Sequence, residues 1–487
     1  MQRSTIAKCP LSLLPYDCWA NVIKYLASPD ILSLSKTSKS LHATTEPFIY
    51  QKVDLGWNTA KLPLQQLLCL LRTFFAKPEL ASSVHHVSLL SSPAVLPWAN
   101  LTSNVNWDEK SPCFKDVIRQ AVGVVHDAGF YNAEDWAQAL QEGNFFAFTA
   151  IFISQIPGLR SLHLDYSFVW MGGYPGQMIK HALLSPNGVL STFDCLYLAD
   201  YGGNVPLPVD HTFDSGELWP DNFPSSYNND QFDGWFYLAS LQHLEIWLRD
   251  TTLIKKSSLK LNLDRLKTLI FSRSAIYEDD VFSFLTQTQS LKNLHIGLAY
   301  PWRKPCMFEN SEIFVQALES VRNTVTNLSI GFEYYPHGLG ECHEGDEQPH
   351  LLDPFKGVFK KFANLQTVEL PIQLLVGFDP YEEEIDLGEM LPDTLWKLVL
   401  RNDLGNIMEY EWGTPEFFSR ISRFVTKSLR SVTPHLQHIC LRFTPLSYNP
   451  FYYPDKKKVV TSACERNGIN FEIIVDGLST GFFISEP

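Results

Sequence analysis

Residues 14–55 read LPYDCWANVIKYLASPDILSLSKTSKSLHATTEPFIYQKVDL, and this stretch predicts a set of three short helices. In the first helix, four apolar residues recur at the spacing i, i+3, i+4 and i+7, which places them on one helical face: Trp19, Val22, Ile23 and Leu26. Pro15 stands where the first turn would begin, a position at which the missing N–H of proline costs nothing. We therefore expect the first helix to be amphipathic.

Two further helix starts follow within the same stretch. Ser28 suits an N-cap, Pro29 the first helical position and Asp30 the positive end of the helix dipole. A third helix is predicted from about Ser38 to Thr45, ending before Pro47. Because a module this small cannot bury all of its apolar surface, two interpretations stay open: a helical cap on a larger core, or a module that docks to a partner.

The order of these features resembles an F-box, in the variant common among fungal proteins. The matching segments follow one another without a gap: Leu14-Pro15, Val22–Leu26, Asp30–Leu34, Thr37–His42, and then Pro47, Tyr50, Val53 and Leu55. One position departs from the family, since many F-boxes carry Trp where this chain has Leu41. The resemblance implies docking to the Skp adaptor of a cullin–RING ubiquitin ligase. It also implies the residues that make the adaptor contact or the packing beneath it: Leu14, Pro15, Ile23, Leu26, Ile31 and Leu34.

Size and charge restrict the possible functions. The chain has 487 residues, of which 45% are hydrophobic, so burial is ample and global disorder is not expected. Its formal net charge is 39 − 53 = −14. An acidic surface argues against a nucleic-acid partner, because phosphate binding needs clustered Lys and Arg.

The cysteine pattern and the lack of long apolar segments indicate the cellular compartment in which the protein is expected. There are nine cysteines, an odd number, and no two of them have C-x-x-C spacing. This favours reduced thiols in the cytoplasm or the nucleus over a disulfide framework. The N-terminus lacks the apolar run of a signal peptide. The longest apolar stretch, Phe145–Ile156, is far shorter than the roughly 20 residues of a membrane span, so no membrane association is expected.

A six-residue pattern, apolar-x-x-apolar-x-apolar, returns along the rest of the chain. It occurs at residues 84–89, 159–164, 193–198, 241–246, 266–271, 291–296, 325–330, 365–370, 395–400 and 436–441. Helix starts such as Ser311-Glu312 and Thr414–Glu416 precede several of these windows. Alternating helices and short strands at spacings of 25 residues or more are typical of a repeat array, and the first gap is long enough to contain a further unit.

The windows resemble leucine-rich repeats, although the family's Asn or Cys after the strand is missing. The fold class expected is α/β: an N-terminal three-helix F-box followed by an irregular leucine-rich-repeat-like solenoid with a curved parallel sheet. The expected divisions are an N-terminal tail (1–13), the F-box (14–55), a substrate-binding solenoid (56–475) and a C-terminal tail (476–487). The other interpretation is an ordinary α/β domain with a parallel sheet.

The polar positions of the windows are candidates for target binding. Because strand side chains alternate, residues that flank the buried pair face the opposite side of the sheet. These predicted substrate-binding residues are His163, Asp165, Tyr197, His243, Glu245, Trp247, His295, Glu369, Arg401 and Arg442. If Arg401 and Arg442 are adjacent, they suit a phosphate. Any solvated sheet face would also carry polar residues, so this list is a hypothesis.

Three long aromatic loops are further binding candidates, at residues 201–235, 331–350 and 444–454. Cys342, His343 and His350 lack the fixed spacing of a zinc site, and no glycine-rich phosphate loop or H-E-x-x-H motif is present. We therefore predict no catalytic residue, no metal and no cofactor.

Together these features predict a substrate-recognition subunit of a Skp–cullin–F-box ubiquitin ligase. In this hypothesis the F-box docks the Skp-type adaptor, and through it cullin, while the repeats bind an unidentified target protein. The alternative is an F-box and repeat scaffold that does not direct ubiquitination.

Overall fold

The computed structural model describes residues 14–23, 25–92, 95, 101–103, 112–184, 188–205, 227–249, 251–252, 254, 261–301, 311–335, 355, 357–377, 386–403, 414–427, 429–443 and 454–476. The chain divides into two compact units. Unit 1 comprises residues 1–95, 99–163 and 181–196, and unit 2 comprises residues 96–98, 164–180 and 197–487, each as far as it is described.

The described part of unit 1 contains helices and short strands. The helices are α1 (Tyr16–Ile23), α2 (Ser28–Ser35), α3 (Lys39–Ile49), α4 (Leu64–Ala76), α5 (Pro78–Ala81), α6 (Pro112–Ala128), α7 (Ala133–Glu142) and α8 (Phe145–Ser154). The strands are β1 (Lys52–Asp54), β2 (Lys61–Leu62), β3 (His86–Leu89), β4 (Thr102–Ser103) and β5 (Ser161–Leu164). Strands β1, β3 and β5 are successive neighbours in one sheet, and β2 pairs in parallel with β4.

Helix α8 forms the centre of the unit 1 core. All ten of its residues are buried, as expected of a helix that is apolar on every side. Asn144 caps it, because its side-chain oxygen accepts hydrogen bonds from the N–H groups of Phe146 (2.9 Å) and Ala147 (3.1 Å). Phe152 stacks on Phe74 of α4 with a centroid distance of 5.5 Å. The apolar stretch that is too short for a membrane span is thus a buried helix.

Unit 2 repeats one strand after another. Its strands are β6 (Leu198–Tyr201), β7 (His243–Ile246), β8 (Thr268–Ser274), β9 (Asn293–Pro301), β10 (Asn327–Tyr335), β11 (Thr367–Pro371), β12 (Lys397–Arg401), β13 (His438–Phe443) and β14 (Asn470–Val475). They lie side by side in chain order, and every described pairing among them is parallel. The expectation of a mixed helix and strand protein with a parallel sheet is therefore confirmed.

Helices and 3-10 turns connect these strands. They are α9 (Tyr166–Trp170), α10 (Tyr174–Leu184), a 3-10 segment (Asn229–Tyr237), α11 (Glu278–Leu285), α12 (Ser311–Ser320), a 3-10 turn (Phe359–Lys361), α13 (Gln373–Val376), α14 (Leu387–Met390), α15 (Thr414–Lys427), α16 (Leu429–Val432) and α17 (Pro454–Arg466). The helices predicted after Ser311 and Thr414 are confirmed. The segment 357–362 contains a 3-10 turn.

The apolar windows fill the core side of the sheet. In β7 the two window residues Leu244 and Ile246 are fully buried, while the residues that precede each of them, His243 and Glu245, are half-buried. The window at 193–198 is three residues out of register. Asp200 of β6 is the residue that pairs with Glu245, and the carbonyl of Tyr197 accepts the N–H groups of Gln242 (2.8 Å) and His243 (3.0 Å) just before the strand.

We expect Phe148→Ala, in the middle of α8, to lower the free energy of unfolding by about 3–5 kcal/mol, because it leaves a cavity among fully buried side chains. Urea titration measures this. Tyr131→Ala is the control, since Tyr131 is 83% exposed and its truncation should change the free energy by less than about 0.5 kcal/mol. Equal effects of the two variants would contradict this placement of the core.

Candidate functional site

The first candidate site is the three-helix module α1–α3. Its interior is a small cluster of four buried side chains, Trp19, Ile23, Ile31 and Leu41, against which Leu26, Leu34, Phe48 and Ile49 pack while partly buried. Trp19 and Ile23 are one helical turn apart on α1, as their spacing predicts. Leu41 of α3, at the position where many F-boxes carry Trp, belongs to this interior.

Two details of the helix ends differ from the sequence-based expectation. The N-cap of α2 is Ala27, and Ser28 is already helical, with Pro29 in the first turn. Helix α3 is capped by Ser38, whose hydroxyl accepts the N–H of Leu41 at 3.2 Å, but it continues to Ile49 instead of ending before Pro47. Pro47 removes the hydrogen bond to the carbonyl of Ala43, which is exposed, so water can satisfy that carbonyl.

The module leaves apolar side chains outside its interior. Val22 is 45% exposed, Leu32 is 43% exposed and Tyr25 is 90% exposed. Val22 and Leu32 are each adjacent in sequence to a buried isoleucine, so they point about 100° away from the interior on their helices. Leu14 and Pro15 before α1 are also exposed. We call these five residues, Leu14, Pro15, Val22, Tyr25 and Leu32, the apolar surface of the module.

The six predicted adaptor-contact residues thus fall into two groups. Leu14 and Pro15 lie on the apolar surface, whereas Ile23 and Ile31 are buried in the cluster beneath it and Leu26 and Leu34 are partly buried. Val22, Tyr25 and Leu32 are exposed residues of the module that the prediction does not include. Helical spacing predicts that Leu32 points away from the interior, because it lies one position beyond the buried Ile31.

The end of the module is fixed to the rest of unit 1. Tyr50, which follows α3, contacts Phe74 of α4 edge to face with a centroid distance of 6.0 Å. Lys77 Nζ donates to Glu46 Oε1 at 2.8 Å. These contacts hold the third helix, and α2 packs on that helix in turn.

The second candidate site is the sheet face of unit 2 to which most of the predicted target-binding residues belong, whereas His163 lies in unit 1. Register places one residue of each strand in a row across this face: Asp200, Glu245, Ile270, His295, Ser329, Glu369, Val399, Cys440 and Glu472. Two residues further along, Arg401 and Arg442 are register partners. Three of the predicted residues, Glu245, His295 and Glu369, belong to this row, and Asp200 occupies the position for which the register error gave Tyr197.

The expected exposure of this face is wrong for most of the predicted residues. Six of them are buried: Asp165, Trp247, His295, Glu369, Arg401 and Arg442. Four are half-buried: His163, Tyr197, His243 and Glu245. Asp165 serves as the N-cap of α9, since its Oδ1 accepts the N–H of Ser167 at 2.8 Å. Strand alternation places Glu245, Glu369 and Arg401 on one side of the sheet, but it carries no information about what covers that side. Their role in target binding stays a prediction.

The two arginines are adjacent, yet both are already paired. Glu369 Oε1 accepts from Arg401 Nη1 at 2.7 Å and from Arg442 Nη1 at 2.5 Å. Arg401 Nε also donates to Asp403 Oδ1 at 2.9 Å, and Arg442 Nη2 donates to Asp476 Oδ2 at 2.6 Å. A buried charge needs such partners. The guanidinium groups therefore hold the sheet face together through internal carboxylates instead of offering an open phosphate site.

His295 belongs to the same buried region. Its Nδ1 lies 2.7 Å from Ser329 Oγ. Burial, reinforced by the positive charges of Arg401 and Arg442, holds the pKa of His295 well below its usual value. The ring is therefore neutral at physiological pH.

A carboxylate pair lies at the β6–β7 end of the row. Asp200 and Glu245 are register partners, and Ser272 Oγ donates to Glu245 Oε1 at 2.8 Å. Burial, together with the nearby Asp200 carboxylate, raises the pKa of Glu245 to about 8, although the bond from Ser272 opposes the shift. Glu245 is thus largely protonated at neutral pH.

Other candidate features fall outside the described residues. These are most of the loops at 201–235, 331–350 and 444–454, and the Cys342, His343 and His350 group. Residues 477–481, GLSTG, match the G-x-S-x-G spacing of hydrolase nucleophile turns, and they also lie outside the described residues. Within the described residues, no group of three or more potential metal ligands occurs. No described helix has the length and apolarity needed to cross a membrane.

We expect Gly331→Ala to destabilise unit 2 by about 1–3 kcal/mol, the usual cost of overpacking. The added Cβ would lie 2.8 Å from Arg401 Nη2, which the ion pairs with Glu369 and Asp403 hold in place. Urea unfolding measures the change. The control is Gly123→Ala in α6, where the new Cβ meets no atom within 4 Å and should stabilise the helix by about 0.5–1 kcal/mol. A neutral Gly331→Ala variant would contradict the tight packing over the sheet.

The protonation of Glu245 predicts a pH dependence of stability. Between its ordinary value of 4.5 and about 8, the folded state keeps a proton that the unfolded state has released, so this residue lowers the free energy of unfolding as the pH rises. Glu245→Gln removes that loss. The variant should gain stability over the wild type as the pH rises through this window, in urea titrations across it. Glu472→Gln, an exposed glutamate of the same row, is the control and should follow the wild type. Parallel curves for Glu245→Gln and wild type would show that Glu245 is ionised.

Comparison with known families assigns the first of the two sites. The F-box domain model matches residues 11–46, which span α1, α2 and most of α3. A search of the curated proteins gives no match to the chain. The three-helix module, with its buried cluster and its apolar surface, is the F-box domain of this chain.

Proposed function

We propose that this protein is the substrate-recognition subunit of a Skp–cullin–F-box ubiquitin ligase. Its F-box docks a Skp-type adaptor, which links it to cullin, and unit 2 holds the target protein. The observation that carries the proposal is that the F-box match falls on a module whose interior is complete and whose Val22, Tyr25 and Leu32 are still exposed.

The adaptor-docking surface is the apolar surface of the module. A large contiguous patch of exposed apolar side chains marks a protein interaction site, and the five residues of the apolar surface are proposed to form one. Burying Val22 and Leu32 against an apolar partner contributes roughly 25 cal/mol for each Å² removed from water. Ile23 and Ile31 act from beneath by fixing the helices that present these side chains.

Unit 2 is proposed to be a leucine-rich-repeat-like array. Nine parallel strands in chain order within the described residues of unit 2, each preceded by a turn or helix, support this architecture. The protein itself would form no covalent bond. It would instead raise the effective concentration of target lysines near the charged conjugating enzyme, in the cytoplasm or the nucleus.

The double variant Val22→Asp, Leu32→Asp should capture about one tenth or less of the adaptor that co-purifies with the wild type. The reason is that two charges would have to be desolvated at the interface. Quantitative pull-down with a purified Skp-type adaptor measures this. Val459→Asp is the matched control: Val459 is 56% exposed on α17 in unit 2, and its replacement should leave capture unchanged.

Circular dichroism of the double variant should match the wild type, since both replaced side chains are exposed. If wild type captures no adaptor, or if the folded double variant captures as much as wild type, the docking proposal is wrong. Probing the same immunoprecipitates for cullin separates a ligase subunit from a scaffold that uses the adaptor alone.

A further inference from the structure

An open cleft of about 390 Å³ lies in unit 2 at the turns that lead into strands β9–β13. Six polar side chains line it: Lys292, Thr326, Asn364, Gln366, Thr394 and His435. The cleft is separate from the buried charges of the sheet face, because its residues precede the strands, whereas Glu369, Arg401 and Arg442 lie within them.

Internal hydrogen bonds make the walls of the cleft rigid. Thr326 Oγ1 donates to the Lys292 carbonyl at 3.1 Å, and Thr394 Oγ1 donates to the Leu365 carbonyl at 2.7 Å. Asn364 Nδ2 donates to the Asn323 carbonyl at 2.8 Å. The main chain is tied in the same way, since the Lys292 carbonyl accepts the N–H of Thr326 at 2.8 Å. The side chains of Thr326, Asn364 and Thr394 are thus hydrogen-bonded, and the turns are held in place before any ligand arrives.

Three other lining side chains keep their donors available. Lys292, Gln366 and His435 are exposed, and none of them has a side-chain hydrogen bond or ion pair within the described part of the chain. No described carboxylate lines the cleft, although the chain as a whole carries a net charge of −14. The cleft thus carries an ammonium group, an amide and an imidazole along its length and no acid, and these N–H donors suit the oxygens of an anionic segment.

We propose that this cleft binds an oxyanion, a carboxylate or a phosphate, carried on an exposed segment of the target protein. The inference rests on the proposed function, in which unit 2 holds the target. Lys292 supplies the charge, while Gln366 and His435 supply further N–H donors. Because all three are exposed, binding should weaken as ionic strength rises.

The test uses the full chain and three fluorescent peptides with the same Gly-Ser backbone. One carries three aspartates, one carries three phosphoserines and one carries three serines. Fluorescence anisotropy at low ionic strength should show binding of at least one anionic peptide and none of the serine peptide. Which anionic peptide binds more tightly identifies the oxyanion.

Lys292→Gln should weaken the tighter peptide about tenfold, the effect of losing one charge-assisted hydrogen bond. The matched control is Lys267→Gln. Lys267 is exposed and occupies the corresponding position one strand earlier, since its carbonyl accepts the N–H of Lys292 at 2.8 Å, but it does not line the cleft. Its replacement should change affinity less than about twofold.

The site is refuted if neither anionic peptide binds better than the serine peptide, or if both lysine variants weaken binding equally. Such a failure with adaptor capture intact would leave the F-box proposal standing. Conversely, Lys292-dependent binding in a chain that captures no adaptor would retain the cleft and remove only its proposed use.

Discussion

The F-box module depends on how few side chains three short helices can enclose. Trp19, Ile23, Ile31 and Leu41 fill the interior, and the helices have no further volume in which to place Val22 or Leu32. A larger domain would bury such residues, but a module of this size cannot. The same limit that makes the module marginal alone also produces its docking surface. Its attachment through Tyr50 and Phe74 to unit 1 offsets part of that marginality.

In unit 2 the organising constraint is the register of consecutive parallel strands. Each step along the chain places the next residue of a row beside the previous one, so that Glu369 comes to lie between two arginines that are 41 residues apart in sequence, Arg401 and Arg442. The absence of side chains at Gly297 and Gly331 leaves the space that His295 and Arg401 occupy. Charges, ring and glycines therefore form one interdependent layer, whose stability comes from several shared ion pairs and not from any single contact.

Much of this arrangement could be predicted from the sequence because it depends on local periodicity. Helical spacing identified Trp19 and Ile23, and the apolar windows located most of the strands, with Leu244 and Ile246 buried as expected. The register of the window at 193–198 could not be predicted in this way, because the apolar pattern fits the segment in two frames. One frame uses Phe193, Leu196 and Leu198, and the other uses Leu196, Ala199 and Tyr201. Phe193 instead occupies a turn at a φ of 55°, a backbone choice that apolar spacing does not encode.

Burial and contacts between residues that are distant in the chain could not be predicted from the sequence for a different reason. Whether Arg401 is solvated depends on what packs over the sheet face, and strand alternation does not predict what packs there. The donors of the cleft come from turns more than 140 residues apart in the chain, Lys292 and His435, so no motif joins them. The exposure of Leu32 is predictable from the sequence, because Leu32 follows the buried Ile31 on the same short helix.

The account is tested most directly by hydrogen–deuterium exchange of the full chain with and without a purified Skp-type adaptor. It predicts slower exchange on adaptor addition within α1 and α2, with the strands of unit 2 unchanged. Unaltered exchange in α1 and α2, or protection confined to unit 2, would contradict it.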